Sequence, residues 1–272
     1  TSIYTYNHHP RYIVNQMGLR NKIGILSEAF AHDRLYKRMN GTYGFVAEIL
    51  EFTHKYGKKM AAINAKAEKD AIQNVIDNAG KVEKGVRFKM VALDEKIENY
   101  RTYDYIPYIK KDGKKGYLRS GKIIDVPNVT NLSKFNATVS TTLPRGYFLP
   151  KSMKSIVNHL KKQGIKVTEL KSRKRATGEV FIIDTLNISK RKFEGHNMAT
   201  VTGKYVTKTQ VFRKGDFWID MAQPLTNLAF YMLEPQSDDG LVSWNFFDDY
   251  LKSQGVETKS VAYPVFKYYS VK

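Results

Sequence analysis

The spacing of hydrophobic residues changes near residue 80. Before that point apolar residues recur every three or four positions, which predicts a helix over 42–56 and another over 58–79, with a break near Gly57. A short apolar run over 22–27 predicts a buried strand, and the aromatic, polar segment 1–22 predicts a loop. From residue 85 onward apolar and polar residues alternate, which is typical of half-buried strands.

The second part of the chain combines short strands, turns and a few helices. Turn signals separate short strands between 100 and 150. Further strands are predicted over 165–170, 179–185, 198–202 and 204–212, and helices over 151–163, 224–233 and 245–253. The pattern predicts an α+β fold. It also predicts a first domain over 1–80, a boundary region over 81–104 and a strand-rich domain over 105–272.

Composition excludes several classes of protein. The 272 residues include no cysteine, which rules out disulfides, thiolate metal sites and a cysteine nucleophile. No apolar run reaches the roughly 18 residues of a membrane helix, so no transmembrane segment is predicted. Motifs of phosphate-binding loops, serine hydrolases and HExxH metalloproteases are absent.

The charge is strongly positive but unevenly distributed. The chain carries +19 overall; residues 161–215 have 14 basic and 4 acidic residues, whereas 216–272 have 4 basic and 8 acidic ones. Such a chain is expected to bind polyanions weakly and without specificity. The basic runs at 171–175 and 190–192 are interpreted as solvated turns, since they lack an element that reads bases. Specific nucleic-acid binding is therefore not expected.

Glu28 is the most prominent candidate for chemistry. It follows the predicted strand over 22–27, at the sheet edge where open α/β sheets bind ligands. A partly buried glutamate there can serve as a general base or acid. The alternative is that Glu28 caps the next segment or pairs with an arginine. The segment 215–247 concentrates tryptophan, proline and acidic residues, and is either a recognition surface or a tightly capped domain junction.

Two stretches resemble one family of enzymes. The sequences YTYNHHPRY at 4–12 and GLRNKIGILSEA at 18–29 resemble the closing part of a zinc metallocarboxypeptidase domain, of the carboxypeptidase A-like type secreted by bacteria of the Bacteroidetes style. The stretch from GDFW at 215–218 to NFFD at 245–248 resembles the C-terminal region that follows this domain. The resemblance implies the remnant of an α/β/α sandwich followed by a mixed accessory domain.

The resemblance also implies roles for individual residues. In that family zinc is held by a His-x-x-Glu pair and a later histidine, which are expected upstream of Thr1, so no metal ligand is assigned in this chain. The match at 25–28 gives Glu28 the role of the general base that activates the metal-bound water and then protonates the leaving amine. The chain alone is expected to be inactive, as the C-terminal part of a secreted or periplasmic enzyme that acts on peptides or proteins.

Three further residues are candidates for binding the substrate. Tyr6, chosen among the tyrosines of 4–12, corresponds to a family tyrosine near the carboxyl terminus of the substrate. Arg11 and Arg20 are candidates for binding a carboxylate.

A non-enzymatic alternative remains open. In it, the chain is a secreted basic module whose strand-rich domain binds an acidic polymer or the cell envelope. The upstream DNA distinguishes the two, because an encoded His-x-x-Glu pair and later histidine favour the enzyme, and a stop codon with a new signal peptide favours the module.

Overall fold

The computed structural model describes residues 1–270, and these form a mixed α+β fold, as predicted. The helices are α1 (Ile13–Leu19), α2 (Leu35–Asn78), α3 (Lys154–Lys162), α4 (Thr226–Leu233) and α5 (Asp248–Ser253). The strands are β1 (Ser2–Tyr4), β2 (Glu83–Ala92), β3 (Ile97–Ile109), β4 (Lys115–Thr142), β5 (Gly146–Leu149), β6 (Thr168–Glu169), β7 (Lys174–Ile188), β8 (Ala199–Phe212), β9 (Phe217–Asp220) and β10 (Val261–Tyr268). Among the described residues, no helix combines the length and apolar composition needed to cross a membrane.

The chain folds into two compact units. The first unit comprises Thr1–His8 and Phe88–Ala137, and the second comprises His9–Arg87 and the residues from Thr138 onward. This division does not follow the boundaries expected at 80 and 104, and the proposed domain limits stay a prediction.

A sheet built around the long strand β4 dominates the first unit. β1 pairs with β4 in parallel, with Ser2 opposite Thr130. β3 pairs with the first half of β4 in antiparallel register, from Ile97 opposite Val129 to Ile109 opposite Lys115. A bulge between residues 103 and 105 interrupts this ladder, and a tight turn over 110–114 closes it. The result is a long two-stranded hairpin.

The second unit contains a six-stranded sheet in the order β6-β9-β5-β10-β7-β8. The last strand of the described residues, β10, lies inside this sheet and pairs antiparallel with both β5 and β7. One face of α3 is buried in the main core through Ile156, Val157 and Leu160, at the spacing expected of an amphipathic helix. α4 is buried on almost every side. A second, smaller cluster of buried residues contains Phe148, whose ring stacks on that of Phe212.

The local predictions for the first 80 residues were wrong in three places. The predicted loop over 1–22 contains β1 and α1. The predicted strand over 22–27 is irregular chain, because the described chain offers it no neighbouring strand to pair with. The two predicted helices form one helix, α2, about 66 Å long at 1.5 Å per residue. Gly57 costs this helix only about 1 kcal/mol, which does not interrupt it.

Candidate functional site

The segment carrying Glu28 is positioned by the end of α1. Asn21 adopts a left-handed conformation (φ 56°) just after the helix, and its side-chain amide donates to the carbonyl of Pro224 at 2.7 Å. Gly24 then returns against the helix, where a Cβ would lie 3.0 Å from the Cβ of Met17 and 3.0 Å from the Cα of Val14. A side chain here would require the neighbouring atoms to shift by a few tenths of an ångström, so glycine favours this close approach. Residues 22–30 therefore leave α1 in a defined direction without forming a strand.

Glu28 lines a pocket of about 380 Å³ between this segment and the first turns of α2. The Glu28 side chain is exposed rather than placed at the end of a strand. The other charged residues lining the pocket are Asp33, Lys37 and Arg38. Asp33 accepts the backbone N–H of Arg34 at 2.8 Å and lies 3.9 Å from the Lys37 ammonium. The pocket thus combines two carboxylates with two cations.

Arg38 is a residue that sequence reasoning missed. Its Nε atom is buried, and it has no hydrogen-bond acceptor within the described chain. A buried N–H without a partner costs free energy that an incoming acceptor recovers. Because guanidinium groups pair well with carboxylates, Arg38 gives this pocket a donor suited to an acidic group. No sequence motif marks it, since its significance lies in burial.

Next to the Glu28 pocket, the first half of α2 exposes a broad apolar surface. A groove of about 1450 Å³ lies on one side of the helix, where Ile23 and Ile25 face its middle turns. A second, of about 550 Å³, lies around Leu35 and Met39. Tyr43 is 79% and Leu50 65% exposed. We name this the α2 apolar surface; its exposed members are Ile23, Ile25, Leu35, Tyr36, Met39, Tyr43, Phe45, Val46, Leu50, Phe52, Tyr56 and Ile63.

Arg11 is held in an ion pair rather than at the Glu28 pocket. Its Nε donates to Asp239 Oδ1 at 2.9 Å, and its backbone N–H donates to Oδ2 at 3.1 Å. The guanidinium carbon lies 4.4 Å from the ring centre of Phe193 and 4.8 Å from that of Trp244, whose Nε1 also donates to Asp239. Arg11 thus joins the start of the second unit to the loop before α5.

Arg20 and Tyr6 are also not among the residues that line the Glu28 pocket. Arg20 Nη1 donates to the carbonyl of Gln163 at 2.8 Å, just after α3, where a cation stabilises the helix C-terminus. Tyr6 belongs to the first unit and is 43% exposed. The substrate-binding roles expected for Arg11, Arg20 and Tyr6 stay predictions, and the two arginines have structural partners.

The residues lining the Glu28 pocket do not fit a zinc site. Protein zinc sites use three or four ligands drawn from histidine, cysteine and carboxylates. The pocket offers only the carboxylates of Glu28 and Asp33, with two cations beside them and no histidine. Zinc bound near Glu28 would require ligands that these residues do not supply.

A buried charged cluster lies in the core of the second unit. Glu234 and Lys267 are each 1% exposed, with the ammonium nitrogen 3.0 Å from Glu234 Oε1. The hydroxyls of Tyr147 and Tyr205 both donate to the Glu234 carboxylate, and Lys267 donates to Thr141 Oγ1 at 2.6 Å. Burial and the adjacent Glu234 carboxylate raise the pKa of both tyrosines well above the usual value for a tyrosine. We call these five residues the Glu234 cluster.

Comparison with known proteins relates the chain to carboxypeptidases. No family model and no solved structure matches it. Proteins named carboxypeptidase 2 from Trichophyton tonsurans and Trichophyton equinum are each 23% identical over 181 residues, and that from Trichophyton rubrum is 22% identical over 177 residues. Each match covers 65% of this chain and 33% of the relative, so the chain spans about a third of the length of these relatives. Over about two thirds of its length, the chain is similar to fungal carboxypeptidases.

Proposed function

We propose that this chain is the C-terminal part of a carboxypeptidase, in which Glu28 transfers the protons of peptide hydrolysis. The observation that carries this proposal is the similarity to carboxypeptidases over 65% of the chain. The Glu28 carboxylate takes a proton from the attacking water as its oxygen adds to the scissile carbonyl. The carboxyl then returns that proton to the amine as the C–N bond breaks.

The α2 apolar surface supports the proposal that a larger domain surrounds Glu28. A helix that is hydrophobic all round is typically buried, and the first half of α2 borders two apolar grooves. A monomer rarely exposes so many neighbouring apolar side chains without a partner surface. Because the relatives are about three times as long as the matched stretch, we propose that the remaining part of the catalytic domain packs on this surface. That part would also supply the zinc ligands implied by the resemblance.

Arg38 supports a peptide with a free carboxyl terminus as the substrate. Its unpaired, buried Nε lines the same pocket as Glu28. We assign it the role of binding the terminal carboxylate, because a guanidinium group binds carboxylates strongly when desolvated. The proposed substrates are therefore peptides or proteins that are shortened from their carboxyl ends.

The test begins with the DNA upstream of the codon for Thr1. If it encodes the remainder of a carboxypeptidase, the longer protein is assayed with a blocked dipeptide that has a free carboxyl terminus. Glu28→Gln should lower turnover by about 10²–10⁴-fold, the usual contribution of a general base. Glu257→Gln, an exposed site in the same unit, is the matched control and should keep full turnover.

Two results would contradict the proposal. Near wild-type turnover of Glu28→Gln would exclude Glu28 from proton transfer. An upstream stop codon followed by a new signal peptide would instead favour the non-enzymatic binding module. The 272-residue chain alone should hydrolyse no peptide, with or without added zinc.

A further inference from the structure

We infer that residues 105–123, the distal half of the β3–β4 hairpin, form a docking surface for an anionic lipid bilayer. These residues, here called the distal hairpin, lie entirely in the first unit. They include the end of β3, the turn over 110–114 and the start of β4. The inference is independent of the proposed peptidase function.

The distal hairpin exposes large apolar side chains on both of its faces. Residues opposite each other in an antiparallel ladder share a face, and neighbours along a strand alternate. Tyr105, Ile109 and Tyr117 therefore lie on one face, and Ile106 with Leu118 directly opposite lie on the other. Each is between 51% and 66% exposed.

Basic residues surround these apolar side chains. Residues 105–123 carry six basic residues and one acidic residue, Asp112. Four lysines lie in the turn or directly after it, and Arg119 and Lys122 follow on β4; all six are exposed. The four lysines are Lys110, Lys111, Lys114 and Lys115. Each basic side chain close to an anionic membrane contributes about a factor of five to binding.

Contacts within the hairpin hold the apolar and basic groups in place. The ring of Tyr108 covers Gly116, where a Cβ would lie 2.7 Å from two ring atoms. The Arg119 guanidinium carbon lies 4.4 Å from the ring centre of Tyr103. Gly113 takes φ 78° in the turn, which favours glycine. The surface is therefore ordered before it meets a partner, which lowers the entropic cost of binding.

Lipid explains this combination of side chains better than other partners do. Single-stranded nucleic acid would use the lysines and tyrosines but would gain little from the exposed aliphatic side chains of Ile106, Ile109 and Leu118. A protein partner would cover one face of the ribbon and leave the other in water. At the headgroup boundary, aliphatic and aromatic groups can enter the acyl region while lysines extend to the lipid phosphates.

The test is sedimentation of the 272-residue chain with phosphatidylcholine vesicles, with and without phosphatidylglycerol. We expect binding only when phosphatidylglycerol is present. Lys111→Gln with Lys115→Gln should lower the partition coefficient about 25-fold, from two factors of about five. The matched control, Lys190→Gln with Lys192→Gln, removes the same charge from another exposed turn. It should lower the partition coefficient far less.

A second pair of variants tests the apolar contribution. Ile106→Ser with Leu118→Ser should weaken vesicle binding by at least about tenfold, because two half-exposed side chains no longer enter the lipid. Ile188→Ser with Val206→Ser, at sites 44% and 42% exposed, is the control. Far-UV circular dichroism should show unchanged folding in all four variants, since the replaced side chains lie at the surface.

Several outcomes would overturn the inference. The first is an absence of binding to phosphatidylglycerol vesicles. The second is an equal loss of vesicle binding from the two double lysine variants, which would show that net charge alone drives the binding. Tight binding of an oligothymidine probe without vesicle binding would assign the hairpin to nucleic acid. Concentration-dependent self-association that Ile106→Ser with Leu118→Ser abolishes would assign it to a second copy of the chain.

Discussion

Replacing Glu234 by leucine should destabilise the second unit far more than replacing Glu234 and Lys267 together. In the native protein the Glu234 carboxylate accepts hydrogen bonds from Tyr147 and Tyr205 and lies 3.0 Å from the Lys267 ammonium. Glu234→Leu removes the counter-charge of a lysine that is 1% exposed. It also leaves two buried tyrosine hydroxyls without their acceptor.

The expected magnitude follows from these contacts. Breaking a buried ion pair from one side costs about 3–5 kcal/mol, and each unpaired hydroxyl adds about 1 kcal/mol. The single variant should therefore lose about 5–7 kcal/mol, a large part of the stability of a typical domain. At about 2–4 °C per kcal/mol, its melting temperature should fall by about 10–28 °C. Glu234→Leu with Lys267→Met leaves no buried charge, and should lose only about 2 kcal/mol through the two tyrosines.

The measurement is a double-mutant cycle by urea unfolding, with the midpoint and slope of each variant followed by circular dichroism. Glu257→Leu with Lys192→Met, at exposed sites, is the control and should change stability by less than about 0.5 kcal/mol. If the double variant is as unstable as Glu234→Leu, removing Lys267 relieves no cost of an unpaired buried charge. The reasoning from an uncompensated buried charge would then be refuted.

Three other perturbations test separate features of the second unit. Arg11→Ala should cost about 3 kcal/mol in urea unfolding, since it leaves the Asp239 carboxylate, whose side chain is 1% exposed, without its cation; a loss below about 1 kcal/mol would contradict this. Stability should fall as the pH rises above about 10, because the unfolded tyrosines release protons there while those of the Glu234 cluster, with raised pKa values, keep theirs. The slope should reach about 1.4 kcal/mol per pH unit for each tyrosine, and a urea midpoint that does not change above about pH 10 would refute it. Gly57→Ala should stabilise α2 by about 0.5–1 kcal/mol, because the nearest atom to the added Cβ is Thr53 Cγ2 at 4.0 Å; lower helicity by circular dichroism would contradict this.

The sequence predicts an element well where the spacing of its apolar residues coincides with the spacing of the residues that the structure buries. In α3, the apolar spacing of Ile156, Val157 and Leu160 is the spacing of the buried face. The sequence misleads where a glycine permits close packing of the backbone instead of marking a turn. Gly203 suggests a break between two strands, but β8 passes through it without interruption. A Cβ there would lie 2.0 Å from the carbonyl oxygen of Ile182, so glycine permits close approach of two strands rather than a turn.

Long-range partners explain what the sequence could not predict about the candidate site. Arg11 has the chemistry of a carboxylate-binding residue, but its partner is Asp239, 228 positions away. Local spacing cannot reveal such a pair. Two further ion pairs, Arg145 with Asp220 and Lys267 with Glu234, also join residues that are distant in sequence.

The position of β10 constrains how the protein can be made. This strand is synthesised after every other strand of the six-stranded sheet, but it occupies an interior place in that sheet. Until residues 261–268 emerge, β5 and β7 each present an unpaired edge, which invites aggregation of the nascent chain. The six-stranded sheet can therefore be completed only after residues 261–268 have been synthesised. A nonsense codon a few residues before Val261 would leave the edges of β5 and β7 permanently unpaired.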